Sequence, residues 1–141
     1  MDYKALANEL FQNMIRTRKK SFYKKVDEVS HGERKILGYL TYGKNKVTSG
    51  ELSEYLDLST PRVASALNSL SKKGFIKRKK DEQDKRVVIV NITESGKSFV
   101  KEEHEEAMGA LEKILEKLGE QDAREFVRIT KRIQEISNEN E

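Results

Sequence analysis

Apolar side chains at Tyr3, Leu6, Ala7, Leu10, Phe11, Met14 and Ile15 recur at intervals of three and four. That is the period of one helix face and predicts a helix over residues 3–18. A basic stretch, Arg16 to Lys25, follows, in which the helix either frays or continues. Ser30 and Glu33 have capping-box spacing, and Ile36, Leu37, Tyr39 and Leu40 then recur helically as far as Gly43. Thr48 and Glu51 repeat the box before a short helix carrying Leu52, Tyr55 and Leu56. Asp57–Ser59 leaves room for a turn only. Thr60-Pro61 then reads as an N-cap hydroxyl with proline at the first helical position. Val63, Ala66, Leu67 and Leu70 share one face of this next helix, and Gly74 closes it.

Two short helices joined by a tight turn are expected to form a helix-turn-helix. Phe75–Lys80 and Val87–Ile92 read as strands around the hydrophobe-free segment 81–86, so a hairpin wing follows directly. Thr93 is placed to cap a helix over 94–118, about 37 Å long at 1.5 Å per residue, which Gly119 ends. A last helix carries Phe126, Val127, Ile129, Ile133 and Ile136 before a polar tail, 137–141. The expected fold is mainly α with a small β-hairpin wing. Residues 1–30 form an N-terminal dimerisation helix, 31–93 the winged helix-turn-helix, and 94–141 C-terminal dimerisation helices, all interwoven. The terminal helices carry more apolar surface than one winged domain can cover, which points to a second copy of the chain.

Composition narrows the function classes. Leu, Ile, Val and Phe number 35 of 141 residues, enough for a thin core. There is no cysteine, which excludes disulfides, thiolate metal sites and thiol switches. No signal peptide is expected behind Asp2, Lys4 and Glu9, and the longest uncharged run, Val63–Ser71, is nine residues. A soluble, cytoplasmic protein with no membrane partner is expected. No Gly-rich phosphate loop and no nucleophile–base pairing is visible, so an enzyme is not expected and no cofactor is called for.

The net charge of +4 conceals a gradient: residues 44–86 sum to +5 and residues 94–141 to −5. Between Thr60 and Lys80 there are seven basic residues and no acidic one. Such a field suits a polyanion, and equally suits a solvated lysine-rich face.

Asp84-Lys85-Arg86, then five residues, then Ile92-Thr93 resembles the wing signature Asp-x-Arg-x5-(Leu/Val/Ile)-Thr of the multiple-antibiotic-resistance regulators, the MarR family. Glu94-Ser95-Gly96 continues the match, and Leu70–Arg78 is similar to that family's recognition-helix exit. The order of elements agrees along nearly the whole chain. The resemblance implies an obligate homodimer that sets two recognition helices in successive major grooves of double-stranded DNA. It further implies a transcription regulator, usually a repressor, often released by a small-molecule effector. Lys85 departs from the family's frequent arginine and supplies charge without a planar fork.

The residues expected to meet DNA are Ser59, Thr60, Arg62, Ser65, Asn68 and Ser69 of the recognition helix, with Lys77, Arg78, Asp84, Lys85 and Arg86 of the wing. Arg62 has the fork for guanine O6/N7, and Asn68 the donor–acceptor pair for adenine. Ser59 and Thr60 stand at a helix start, where phosphate oxygens bind. Lys77, Arg78 and the two lysines after them act through counterion release, at most half of them squarely. Arg86 is the minor-groove or phosphate candidate with Asp84 orienting it; an ion pair that only fixes the hairpin is the other reading. The family places an effector crevice between the dimer helices and the DNA-binding part, where Phe11, Met14, Tyr23, Tyr39 and Tyr42 are candidates. Core and dimer interface are the alternative roles for these five. His104, among Glu102, Glu103, Glu105 and Glu106, raises a metal-responsive member, but it lacks a second histidine four residues on, and no metal ligand is assigned. A winged-helix protein-interaction module that does not read DNA sequence is the remaining alternative.

Overall fold

A computed structural model describes residues 1–18 and 29–140, Arg18 by its backbone alone. Among the described residues ten elements follow one another: α1 (Tyr3–Arg18), α2 (His31–Gly38), a π-helical turn (Tyr39–Gly43), β1 (Val47–Thr48), α3 (Ser49–Leu56), α4 (Thr60–Lys72), β2 (Ile76–Lys80), β3 (Val88–Ile92), α5 (Glu94–Leu118) and α6 (Glu120–Glu139). Both predicted capping boxes form: the Ser30 and Thr48 hydroxyls accept from the Glu33 and Glu51 amides, and each glutamate carboxylate returns to the cap amide. Thr93 caps α5 by accepting from the Gly96 amide.

Four boundaries differ from the sequence reading. The N-cap of α4 is Ser59, whose hydroxyl accepts from the Arg62 amide, and Thr60 already lies in the first turn. A hydroxyl one position earlier leaves Thr60 and Pro61 both helical, so proline takes the second position with its missing N–H still costless. Residues 137–139 of the expected polar tail stay helical, because α6 continues to Glu139. Each wing strand begins one residue later than expected, at Ile76 and Val88.

The wing strands are part of a three-stranded antiparallel sheet in the order β1-β3-β2. Its first strand is two residues long, with Val47 opposite Val90. Ile36, Leu37, Val47, Leu52, Val63, Leu70 and Val90 are all but fully buried, so α2, α3, α4 and the sheet close on one another. Phe75 stacks on Phe99 with ring centroids 4.6 Å apart, which seats the start of α5 on the foot of the wing. Gly96 makes that seating possible: a Cβ there would lie 2.3 Å from the Phe75 carbonyl oxygen and 2.7 Å from the Ile92 side chain.

α1, the outer part of α5 and α6 contribute little to this core. Leu6, Leu10, Phe11, Met14 and Ile15 on α1 are exposed, as are Met108, Leu111, Ile114 and Leu118 on α5. So are Phe126, Val127, Ile129, Ile133 and Ile136 on α6, which has no buried residue among those described.

Candidate nucleic-acid interface

α4 buries Val63, Ala66, Leu67 and Leu70 and turns Arg62, Ser65 and Asn68 outward. The turn before it is closed by Asp57 in the left-handed region (φ 52°) and by Ser53, whose hydroxyl donates to the Leu58 carbonyl at 2.6 Å. These contacts fix the angle between α3 and α4, and with it the presented face.

On one flank of that face lies a cavity of 460 Å³ between α4 and the start of α2, lined by Ser30, His31, Glu33, Arg62, Ser65 and Ser69 among others. Ser69 does not belong to the outward set. It is half-buried and hydrogen-bonds Glu33, which also accepts from Lys73 Nζ at 2.8 Å and from the Ser30 amide at 3.2 Å. Burial alone would raise the Glu33 pKa. The hydrogen bonds from Lys73, Ser69 and Ser30, with the Lys73 charge, outweigh it and hold the carboxyl below its ordinary range. The sequence marks Glu33 as a cap residue and gives no sign of its second use as the anchor of the α4 C-terminus.

On the other flank, the wing stem reaches the recognition helix. Residues alternate along β2, so Ile76, Arg78 and Lys80 share a side. Ile76 is buried in the core, and Arg78 Nη1 donates to Asn68 Oδ1 at 2.7 Å. Lys77, Arg78, Lys79 and Lys80 are all exposed. Sequence reasoning places Asn68 and Arg78 at separate contacts and misses that they meet.

The wing tip is a small self-bonded loop. Asp84 Oδ1 accepts from the Arg86 amide and from Arg86 Nε, both at 3.1 Å, and Oδ2 from Nη2 at 3.3 Å. These bonds lower the Asp84 pKa. The Asp84 carbonyl accepts from the Val87 amide, while the Asp81 amide donates to the Val87 carbonyl. The Arg86 side chain stays 92% exposed, so its orientation is set while its outer edge is open to a partner. Lys85 is exposed beside it.

The five crevice candidates separate. Tyr42 lines a 150 Å³ cleft between α2 and α5 together with Arg34, Leu37, Phe99, Glu103 and His104. Tyr39 lies elsewhere, its ring centroid 4.6 Å from that of Tyr55 on α3. Phe11 and Met14 are exposed on α1, and Tyr23 lies outside the described residues. His104 is exposed at the rim of the cleft. Among the described residues no group of three metal-ligating side chains comes together. None of the described helices is long and apolar enough to cross a membrane.

Known proteins share this architecture. YwhA of Bacillus subtilis, an uncharacterised HTH-type transcriptional regulator, is 25% identical over 134 residues, covering 92% of this chain and 96% of its own. A MarR transcriptional regulator from Methanosarcina mazei Go1 superposes with a TM-score of 0.66 at 22% identity, over 97% of this chain and 99% of that one. Streptococcus pneumoniae FabT, solved in complex with DNA, superposes with a TM-score of 0.67 at 22% identity, over 99% and 100%. The winged-helix fold of the MarR regulators expected from the wing signature is therefore the fold observed. Residues 18–103 match the model of the transcriptional regulator SarA/Rot family, and this span takes in the helix-turn-helix, the wing and the start of α5. The chain belongs to the SarA/Rot family of transcriptional regulators.

Proposed function

We propose that this chain is a homodimeric, sequence-specific DNA-binding repressor that acts on a pseudo-palindromic operator. One observation carries the reading. A capped recognition helix turns Arg62, Ser65 and Asn68 outward and runs with Lys77–Lys80 through a segment, Thr60–Lys80, without a single acidic residue, and the exposed Arg86 fork stands beyond it at the wing tip. Arg62 reads a base edge. Ser59 and Thr60 hold a phosphate at the start of α4. Arg86 enters the minor groove or meets a flanking phosphate, with Asp84 fixing its direction and Lys85 adding charge. The solved FabT complex with DNA supports this use of the fold.

The exposed apolar faces of α1, α5 and α6 are what a second copy covers, since a monomer rarely leaves so much contiguous apolar surface to water. A two-fold dimer sets its recognition helices about 34 Å apart, one turn of DNA. The cleft beside Tyr42 lies between the winged domain and α5, so a small effector bound there would change the angle between them. Such a regulator works in the cytoplasm beside the chromosome, needs no cofactor, and has no catalytic role.

The test is to incubate the purified chain with sheared genomic DNA at moderate salt and sequence the retained fragments. An inverted repeat with half-sites one turn apart supports the reading. Retention without sequence preference, or no retention, refutes it and returns the winged-helix protein-interaction module as the better account.

A further inference from the structure

From the 2.7 Å contact between Arg78 and Asn68, we infer that Arg78 is a positioning residue that sets which base Asn68 reads, turning it from adenine toward guanine. The inference rests on the DNA-binding reading above and goes beyond it.

Arginine has donors only, so the carboxamide atom that faces its Nη1 is the oxygen. This removes the usual ambiguity between the two ends of an asparagine side chain. Oδ1 points back toward β2. Nδ2, with its two N–H donors, has no partner among the described residues. Adenine recognition by asparagine needs both ends at the base: Nδ2 donating to N7 and Oδ1 accepting from N6. Here the acceptor is already engaged by a cation. Only donors are offered, and guanine, with acceptors at both N7 and O6, is the base that suits them. Cytosine presents its N4 donor there and is rejected.

The strap ties two elements that approach DNA separately, the recognition helix and the wing stem. Ile76, on the same side of β2, is buried in the core and fixes the height from which Arg78 reaches. The remaining N–H groups of Arg78 stay open to a phosphate, so one guanidinium can steer the base contact and add charge at once.

The experiment selects binding sites from a randomised duplex library with the full chain and with Arg78→Ala, Arg78→Lys, Asn68→Ala and Asn68→Asp. Circular dichroism and thermal melting check that each exposed substitution leaves the fold intact. At one position per half-site the parent is expected to prefer guanine by about fivefold or more. Asn68→Ala abolishes that preference. Arg78→Ala frees the carboxamide and moves the preference to adenine. Arg78→Lys, which keeps the charge but lacks the fork, does so partly. Asn68→Asp turns an acceptor outward and moves the preference to cytosine. The inference is overturned if Arg78→Ala weakens all sequences equally and leaves guanine in place, which is the behaviour of a plain phosphate contact. It is also overturned if no position responds to Asn68. A parent that selects no sequence at all brings down the DNA-binding reading itself, a distinguishable result.

Discussion

Arg34 on α2 and Glu103 on α5, 69 residues apart in sequence, form a forked ion pair: Nη2 donates to Oε1 at 2.7 Å and Nε to Oε2 at 3.1 Å. Arg34 Nη1 also donates to the Val29 carbonyl at 3.1 Å, so one guanidinium ties the winged domain to the long helix and to the segment entering α2. Both side chains are largely covered, at 20% and 9% exposure. Removing one partner leaves the other desolvated and uncompensated, which costs more than the pair itself contributes. Arg34→Ala is expected to lower unfolding free energy by about 2 kcal/mol, discounted from the fully buried range for the exposure of Arg34. Chemical denaturation of the two single variants and the double variant measures the coupling; a coupling indistinguishable from zero contradicts it.

Gly96 is the second point at which α5 is held. With a Cβ 2.3 Å from the Phe75 carbonyl, Gly96→Ala must push α5 off the foot of the wing. The expected loss is about 2 kcal/mol of stability. Helix propensity alone would make the alanine variant more stable, so the sign of the change in melting temperature decides between the two effects.

The Glu33 network predicts a pH dependence. Its folded pKa lies below the ordinary glutamate value of 4.5, so the carboxylate contributes stability that is fully present above that value. The contribution is lost as pH falls through the ordinary range toward the lower folded pKa. Melting temperature should therefore fall on this limb, and Glu33→Gln should flatten it while lowering stability at neutral pH. Lys73→Met should flatten it in part, because Ser69 and the Ser30 amide remain. An unchanged acid limb in Glu33→Gln would place the titration elsewhere.

Arg62 and Arg86 are predicted to fail in different ways. Arg62→Ala should relax base preference by about 1–3 kcal/mol at one position of each half-site. Arg86→Ala should weaken all sequences alike and reduce the slope of log affinity against log salt by about 0.9 for each phosphate that Arg86 neutralises. Fluorescence anisotropy across a salt series separates them, and equal curves for Arg86→Ala and the parent remove the wing from the interface.

Local chemistry wrote most of the element order into the chain. The serine–glutamate and threonine–glutamate boxes, the Thr93 cap and the largely β-branched run Val87–Ile92 each act over a few residues, and each can be read directly. β1 cannot: two residues, Val47 and Thr48, pair with β3 from more than forty positions away and leave no period behind. The cap of α4 falls one residue before its expected place because Ser59 and Thr60 carry the same hydroxyl. The long-range polar contacts, Arg34 with Glu103, Lys73 with Glu33 and Arg78 with Asn68, are invisible for a different reason. Each joins side chains that carry no mark of one another in the sequence until the fold brings them together. Ser69 shows the cost: by spacing it shares the outward face, yet Glu33 draws it inward. Tyr39 and Tyr42 are three residues apart and look like one group, but the π-helical turn sends one to Tyr55 and the other to the cleft.

Exposed apolar side chains on α6 make the dimer directly testable. Phe126→Asp with Ile133→Asp should yield a folded monomer in sedimentation, with the winged core unaffected because neither side chain touches it. Retention of the parent's mass would show that α6 is not at the interface.

The central claim is that two chains read one site. Native mass spectrometry of the parent on a duplex bearing the selected repeat measures this most directly. Two chains per duplex on the full repeat, with affinity lost when one half-site is scrambled, is the predicted result. One chain per duplex, with scrambling of either half-site tolerated, would contradict it.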